Sequence, residues 1–188
     1  GRSPRPQLFF DEEHPVELVL KGWRSLARRF ASKWNVIGAD VFNEPGAATW
    51  AAGEPTDFDA FAVEAARAIH AEAPGWLIFV EGTRKSRDCA HCWQHDLRGA
   101  QQSPVVLDVP EKLVYSPHMY GPAVVTDRDE FTHAKFPDNL DSVWDRRFGH
   151  LVSNRTRETP AVVLGEWGGP VEGDNAAWMR KLVGYLQR

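Results

Sequence analysis

Sulfur is scarce in this chain: its 188 residues include only two cysteines and two methionines, so one disulfide is the most it can form. Long apolar runs are also missing, and none approaches the roughly 20 residues of a membrane-spanning helix. Neither sign of charge prevails. Lys and Arg number 22 against 26 Asp and Glu, a net charge of −4 with both signs interspersed. That pattern speaks against nucleic acid or a membrane surface as partner. There is no internal repeat and no low-complexity tract. The stretch Gly1–Pro6 is polar and proline-rich, unlike a signal peptide, which suits either a cytosolic protein or a mature or truncated part of a secreted one.

Apolar residues, by contrast, are plentiful. Hydrophobic residues make up 43% and charged residues 26%, the balance of a globular chain. The length suits one domain over residues 1–188 but falls short of the about 250 residues of a whole (β/α)8 barrel. Eight tryptophans are enough to supply both a core and exposed aromatic faces on which sugar rings stack. The cysteines, Cys89 and Cys92, stand beside His91 and His95. A local disulfide or free thiols is the default reading. A metal site made from such close neighbours has poor geometry, and nothing supports a redox motif.

Four short apolar runs alternate with amphipathic segments, the pattern of βα units and a parallel sheet. A helix is expected from Pro15 to Phe30, with Val16, Leu20, Trp23, Ala27 and Phe30 on one face. A strand over Val36–Phe42 follows and meets Pro45. A helix begins near Asp57 with a stripe of Phe58, Phe61, Ala62, Ala65, Ala66 and Ile69, and Pro74-Gly75 ends it. The second strand is Trp76–Glu81. A long irregular stretch, Gly82–Glu111, has the length of a functional loop. The third strand, Leu113–Ser116, runs into Pro117–Tyr120. A helix over Asn139–Leu151, a strand over Ala161–Glu166 and a helix capped by Asp174 complete the pattern.

Each strand ends in polar residues: Asn43-Glu44, Glu81, His118 with Tyr120, and Glu166-Trp167. In α/β barrels that rim is the active-site face. Two carboxyl groups with different duties there suit glycoside hydrolysis, one acid to protonate the leaving oxygen and one carboxylate to attack carbon or activate water. Three glutamates, Glu44, Glu81 and Glu166, compete for two roles, and each is equally readable as a structural strand-end carboxylate.

Motifs separate them. V-I-G-A-D-V-F-N-E-P at Val36–Pro45 resembles the fourth strand of glycoside hydrolase family 5, and L-I-F-V-E-G at Leu77–Gly82 the fifth. L-V-Y-S-P-H-M-Y at Leu113–Tyr120 resembles the sixth, and V-V-L-G-E-W-G at Val162–Gly168 the seventh. Within the family the chain is most similar to bacterial secreted endo-β-1,4-glucanases, which also have counterparts of D-L-R-G-A at Asp96–Ala100 and P-V-V-L-D-V-P at Pro104–Pro110. The resemblance implies Glu44 as acid/base, Glu166 as nucleophile and Asn43 as partner of the substrate 2-hydroxyl. It implies that His118 and Tyr120 steer sugar and nucleophile, and it leaves Glu81 a structural role. Trp50, Trp93 and Trp167 are the candidate sugar platforms, each also readable as packing. No cofactor or metal is implied.

The same resemblance implies a partial barrel, an α/β half barrel holding strands four to seven of eight with their helices. The family's Arg and His from the second and third strands and its Trp from the eighth have no counterpart in these residues. The implied activity is retaining hydrolysis of β-1,4-glucan or cello-oligosaccharide, with secretion as the implied location. The alternatives are an inactive or weak half barrel that at most binds glucan, and the same chemistry on mannan or another β-glycan. Open outer strands call for cover, from a homo-oligomer or from a complementing fragment.

Overall fold

The structure is a computed structural model that describes residues 8–83, 96–126, 128–153, 156 and 159–188. The apolar stripes of the sequence become helix faces. Helix α1 (Val16–Phe30) lays Val16, Val19, Leu20 and Trp23 against the core and buries Ala27 fully. The Trp23 indole N–H donates to the Val41 carbonyl at 3.2 Å and so ties the helix to the end of the first strand. Helix α2 (Phe58–His70) buries all six residues of its predicted stripe. Phe9 stacks on Phe61, ring centroids 4.1 Å apart. Each fully buried ring of this kind contributes about 1.5–3 kcal/mol relative to exposure.

Strands β1 (Gly38–Asp40), β2 (Leu77–Val80), β3 (Leu113–Tyr115) and β5 (Ala161–Val162) form one parallel sheet in the order β1-β2-β3-β5. Above it, β4 (His118–Tyr120) and β6 (Glu166–Gly168) pair in parallel, with His118 opposite Glu166 and Tyr120 opposite Gly168. The runs read as single third and fourth strands are therefore each broken in two. Pro117 lacks the N–H a ladder needs, and Gly165 is the corresponding break on the other side. This α/β arrangement is a partial barrel.

The two faces of the sheet differ. Ala39, Ile78 and Val80 are buried in the core shared with α2, α5 (Leu140–Arg147) and α6 (Gly173–Leu186). On the other face, Asp40, Phe79, Val114 and Ala161 share one row of the register. Asp40 and Ala161 at its two ends are exposed. Gly38 makes room for the Phe79 ring there, since a Cβ on Gly38 would come within 2.9 Å of it. This is the inner face of the barrel, and it lies open at both outer strands.

Several boundaries differ from the sequence reading, the first two strands being shorter, Gly38–Asp40 and Leu77–Val80. The predicted helix over 139–151 divides into α5 and a single 3₁₀ turn, Gly149–Leu151, because Phe148 leaves helical geometry with φ −148°. Within the predicted loop over 82–111 lies a short helix, α3 (Arg98–Gln102), and a single helical turn, α4 (Asp129–Thr132), precedes α5. Asp174 falls inside the first turn of α6, where its charge meets the positive helix end, and Glu172 takes the capping position.

Candidate active site

The strand ends converge. The Tyr120 hydroxyl donates to Glu166 Oε2 at 2.6 Å. His118 Nδ1 lies 3.1 Å from Glu44 Oε1 and 3.6 Å from Glu166 Oε2. The nearest oxygens of Glu44 and Glu166 are within 4.8 Å of each other, and each of the two side chains is 41% exposed. Register brings this about, since pairing of β4 with β6 sets His118 against Glu166. Glu44 arrives from the end of β1 with a left-handed backbone, φ 47°. Such a conformation costs a non-glycine residue of order 1–3 kcal/mol and clusters at functional sites.

Behind this pair lies Glu81, whose side chain is fully buried. Its Oε2 accepts the Glu44 backbone N–H at 3.1 Å. Its Oε1 is 3.2 Å from His118 Nε2, yet it lies off the line of a ring N–H and accepts no hydrogen bond. Burial first, then the charges of Asp40, Glu44 and Glu166, push the Glu81 carboxyl up to about 9, against a partial pull down from the Glu44 N–H. Asp40 is raised as well, chiefly by loss of water and less by the charge of Glu166. Although the residue is exposed overall, its carboxyl stands within 4.8 Å of Glu81 and His118. Tyr120 is pushed up to about 12 by its bond to Glu166, then by desolvation and by the negative charges of Glu166 and Glu44.

Other predicted residues fall in different places. Asn43 is exposed beside Glu44 on the same rim. Trp167 is 48% exposed next to Glu166, so part of its surface is open to a ligand. Trp50 does not serve as a sugar platform. It is 2% exposed, its indole N–H donates to the Ser103 carbonyl at 2.9 Å, and its ring lies against Gly99. Burial leaves no ring face for a sugar. Trp93, with Cys89, Cys92, His91 and His95, lies outside the described residues.

Two contributors had no sequence signal strong enough to single them out. Asp40 interrupts an otherwise apolar strand, which is the mark that could have drawn attention to it. Gly165 leaves space beside His118, because a Cβ there would lie 3.0 Å from Nε2 and closer still to Ser116 Oγ. Two groupings, Asp40-Glu81-His118 and Glu44-His118-Glu166, have donor atoms close enough to hold a metal ion, but acidic rims of this kind are common without one.

Residues 7–188 match the profile of the family Cellulase (glycosyl hydrolase family 5). The chain belongs to that family. It is 35% identical to an endoglucanase of Paenibacillus polymyxa over 99% of this chain and 48% of that protein. It is 37% identical to the major extracellular endoglucanase of Xanthomonas campestris pv. campestris over 96% of this chain and 38% of that protein. The catalytic domain of the major endoglucanase from Xanthomonas campestris pv. campestris superposes with a TM-score of 0.87 at 32% identity, covering 98% of this chain and 54% of that one. A cellotetraose complex of the endocellulase from Pyrococcus horikoshii superposes at 0.85 with 35% identity, covering 95% and 54%. The family 5 chain described here thus spans about half the length of these relatives.

Proposed function

We propose that this chain carries the catalytic pair of a retaining endo-β-1,4-glucanase acting on cellulose-like glucan. The observation that supports this best is the closeness of Glu44 and Glu166, whose nearest oxygens lie within 4.8 Å with a phenol bonded to one of them. Retaining glycosidases hold their carboxyls about 5–5.5 Å apart, while inverting ones leave a wider gap of roughly 6.5–9.5 Å for a water.

Glu166 is the nucleophile in this reading. Tyr120 donates to its Oε2 and leaves Oε1 free to attack the anomeric carbon. As that bond forms, the bond to the leaving oxygen breaks and Glu44 protonates the departing sugar. In the second step Glu44 takes a proton from water, which displaces Glu166 and restores both groups. In this reading Asn43 meets the 2-hydroxyl, and the exposed Trp167 supplies a stacking surface beside the nucleophile. The names of the endoglucanase relatives and the cellotetraose complex support glucan as substrate. The relative called major extracellular supports secretion.

A second reading is a half barrel that binds glucan without turning it over. The exposed inner-face residues Asp40 and Ala161 favour it. Hydrolysis of a fluorogenic cellobioside separates the two. Glucanase activity lost in both Glu44→Gln and Glu166→Gln, with azide restoring turnover in one, supports the first reading. Full activity of Glu166→Gln sinks the assignment of roles.

A further inference from the structure

Of the two groupings whose donor atoms stand close enough to hold a metal ion, Asp40-Glu81-His118 differs from an ordinary acidic rim. We propose that it binds a divalent transition cation of the zinc class, with Glu81 Oε1, His118 Nε2 and the Asp40 carboxylate as ligands. The proposal goes beyond the glucanase reading and does not depend on it.

The two buried ligands carry the argument. The Glu81 side chain has no exposure and that of His118 has 3%. Glu81 Oε1 lies 3.2 Å from His118 Nε2, yet it has no hydrogen-bond partner among the described residues. A buried carboxylate oxygen left in that state is costly. Two donors that share an ion stand in this relation, because each aims its lone pair at the ion and not at the other. Bound to zinc at about 2.0–2.2 Å in tetrahedral geometry, such atoms are about 3.3 Å apart. A second buried atom nearby is also without a hydrogen-bond partner, the Ser116 hydroxyl. With Nε2 it borders the space that Gly165 leaves free of a side chain. Zinc with three protein ligands keeps a water in its fourth position, and a water there would satisfy this hydroxyl.

The surroundings of the ligands fit as well. A metal-bound histidine almost always donates its other ring N–H to a carboxylate, a carbonyl or water, which fixes the ring. His118 Nδ1 has Glu44 Oε1 in that position at 3.1 Å. A ligating carboxylate is itself hydrogen-bonded, and Glu81 Oε2 accepts the Glu44 N–H at 3.1 Å. Asp40 supplies the entry path. It is exposed on the open inner face, and its carboxylate stands within 4.8 Å of the other two ligand atoms, a gap that rotation of an exposed side chain closes. An imidazole among the donors suits zinc or cobalt better than magnesium or calcium, which favour oxygen. The ligands come from β1, the end of β2 and β4, so one ion ties three strands together. In the metal-free protein the raised Glu81 carboxyl keeps a proton instead.

The probe is zinc chloride alone, titrated calorimetrically at neutral pH into protein stripped by a chelator. Cys89, Cys92, His91 and His95 are a rival set of ligands, so the titration uses a Cys89→Ser/Cys92→Ser chain. One zinc per chain is expected to bind and to raise the thermal midpoint, since binding to the native state stabilises it. Removing a partner of a ligand typically costs 10–100-fold in affinity, so loss of the ligand itself in Asp40→Asn should cost about 100-fold or more. Glu166→Gln removes a donor from the neighbouring grouping only, and should cost less than about 10-fold on the same scale. No binding in the double-serine chain overturns the proposal. So does affinity unchanged by Asp40→Asn, a loss in Glu166→Gln as large as in Asp40→Asn, or calcium bound in preference to zinc. If Asp40→Asn fails to fold by circular dichroism, the histidine side-chain resonances decide. Zinc should then shift the Nε2 signal of His118, assigned by its absence in His118→Gln, and an unmoved signal overturns the proposal. Neither readout needs turnover, so a chain that hydrolyses no glucoside defeats the glucanase reading and leaves this test standing.

Discussion

Tyr120 and Glu166 are joined by a hydrogen bond of 2.6 Å, and the bond works on both partners. It spends one oxygen of the carboxylate on a neutral donor, and it makes loss of the phenolic proton unfavourable, which pushes Tyr120 up to about 12. Tyr115 is also pushed to about 12, by burial. Tyr185 is raised as well, by burial and then by its bond to Asp145. These are the three tyrosines of the chain.

The first prediction follows from that. Phenolate absorbance of the folded protein should stay flat through pH 10, where an ordinary tyrosine is half ionised. A rise centred near 10 in protein that keeps its circular dichroism would refute the bonded geometry. Tyr120→Phe should leave the fold intact and lower kcat/KM by about 10- to 100-fold, as expected when a charge-assisted bond worth roughly 1.5–3 kcal/mol is removed.

Glu81 gives a stability prediction with a definite sign. Its carboxyl is raised from an ordinary 4.5 to about 9 in the folded protein. Between those values the native state holds a proton that the unfolded chain has released, so stability falls as pH rises through the window. Glu81→Gln cannot release a proton. The variant should therefore gain on the wild type steadily from about pH 5 to pH 9, read as denaturation midpoints at each pH. A difference that does not change with pH would rule out the buried proton.

Trp50→Ala should cost about 3–5 kcal/mol of stability, the range for removing a large buried ring. Thermal or urea unfolding measures it. A sugar platform on the surface would behave differently, losing affinity for cello-oligosaccharides at little cost to the melt.

Association is the last prediction. The outer strands β1 and β5 and the exposed Val163 and Ala161 favour cover by a second copy. Light scattering is expected to find a species larger than the 21.2 kDa chain. Two inner faces brought together would set Asp40 against the acids of the other copy, so added salt should strengthen the association by screening them. A monomer with one cooperative melt at all salt concentrations would end the idea.

Much of this was legible in the chain. The helical stripes hold almost residue for residue, because periodicity of apolar residues is set by burial on one face. Glu44, His118, Tyr120 and Glu166 could be placed on one rim because each stands where an apolar run stops. The breaks at Pro117 and Gly165 were present in the sequence, but whether the chain continues as one strand or two depends on its neighbour's register. Trp50 stayed open between platform and packing because its partner Gly99 lies on a helix of only five residues, too short for any period to announce. The contacts of Glu81 were hidden for a related reason. A strand-end glutamate reads the same whether it faces water or a buried imidazole, and only the pairing of β2 between β1 and β3 decides.

The contact of Trp50 with Gly99 and the Ser103 carbonyl has a bearing on how this rim changes under mutation. It clamps the loop that follows Glu44 to the segment that follows Glu81, while Asp57 holds the first loop through Thr49, Ala52, Gly53 and Glu54. Substitutions in one loop will then be felt in the other, and their effects will not sum. Variation of the walls around Glu44 and Glu166 is best made in both loops at once, with Trp50 and Gly99 kept as a matched pair.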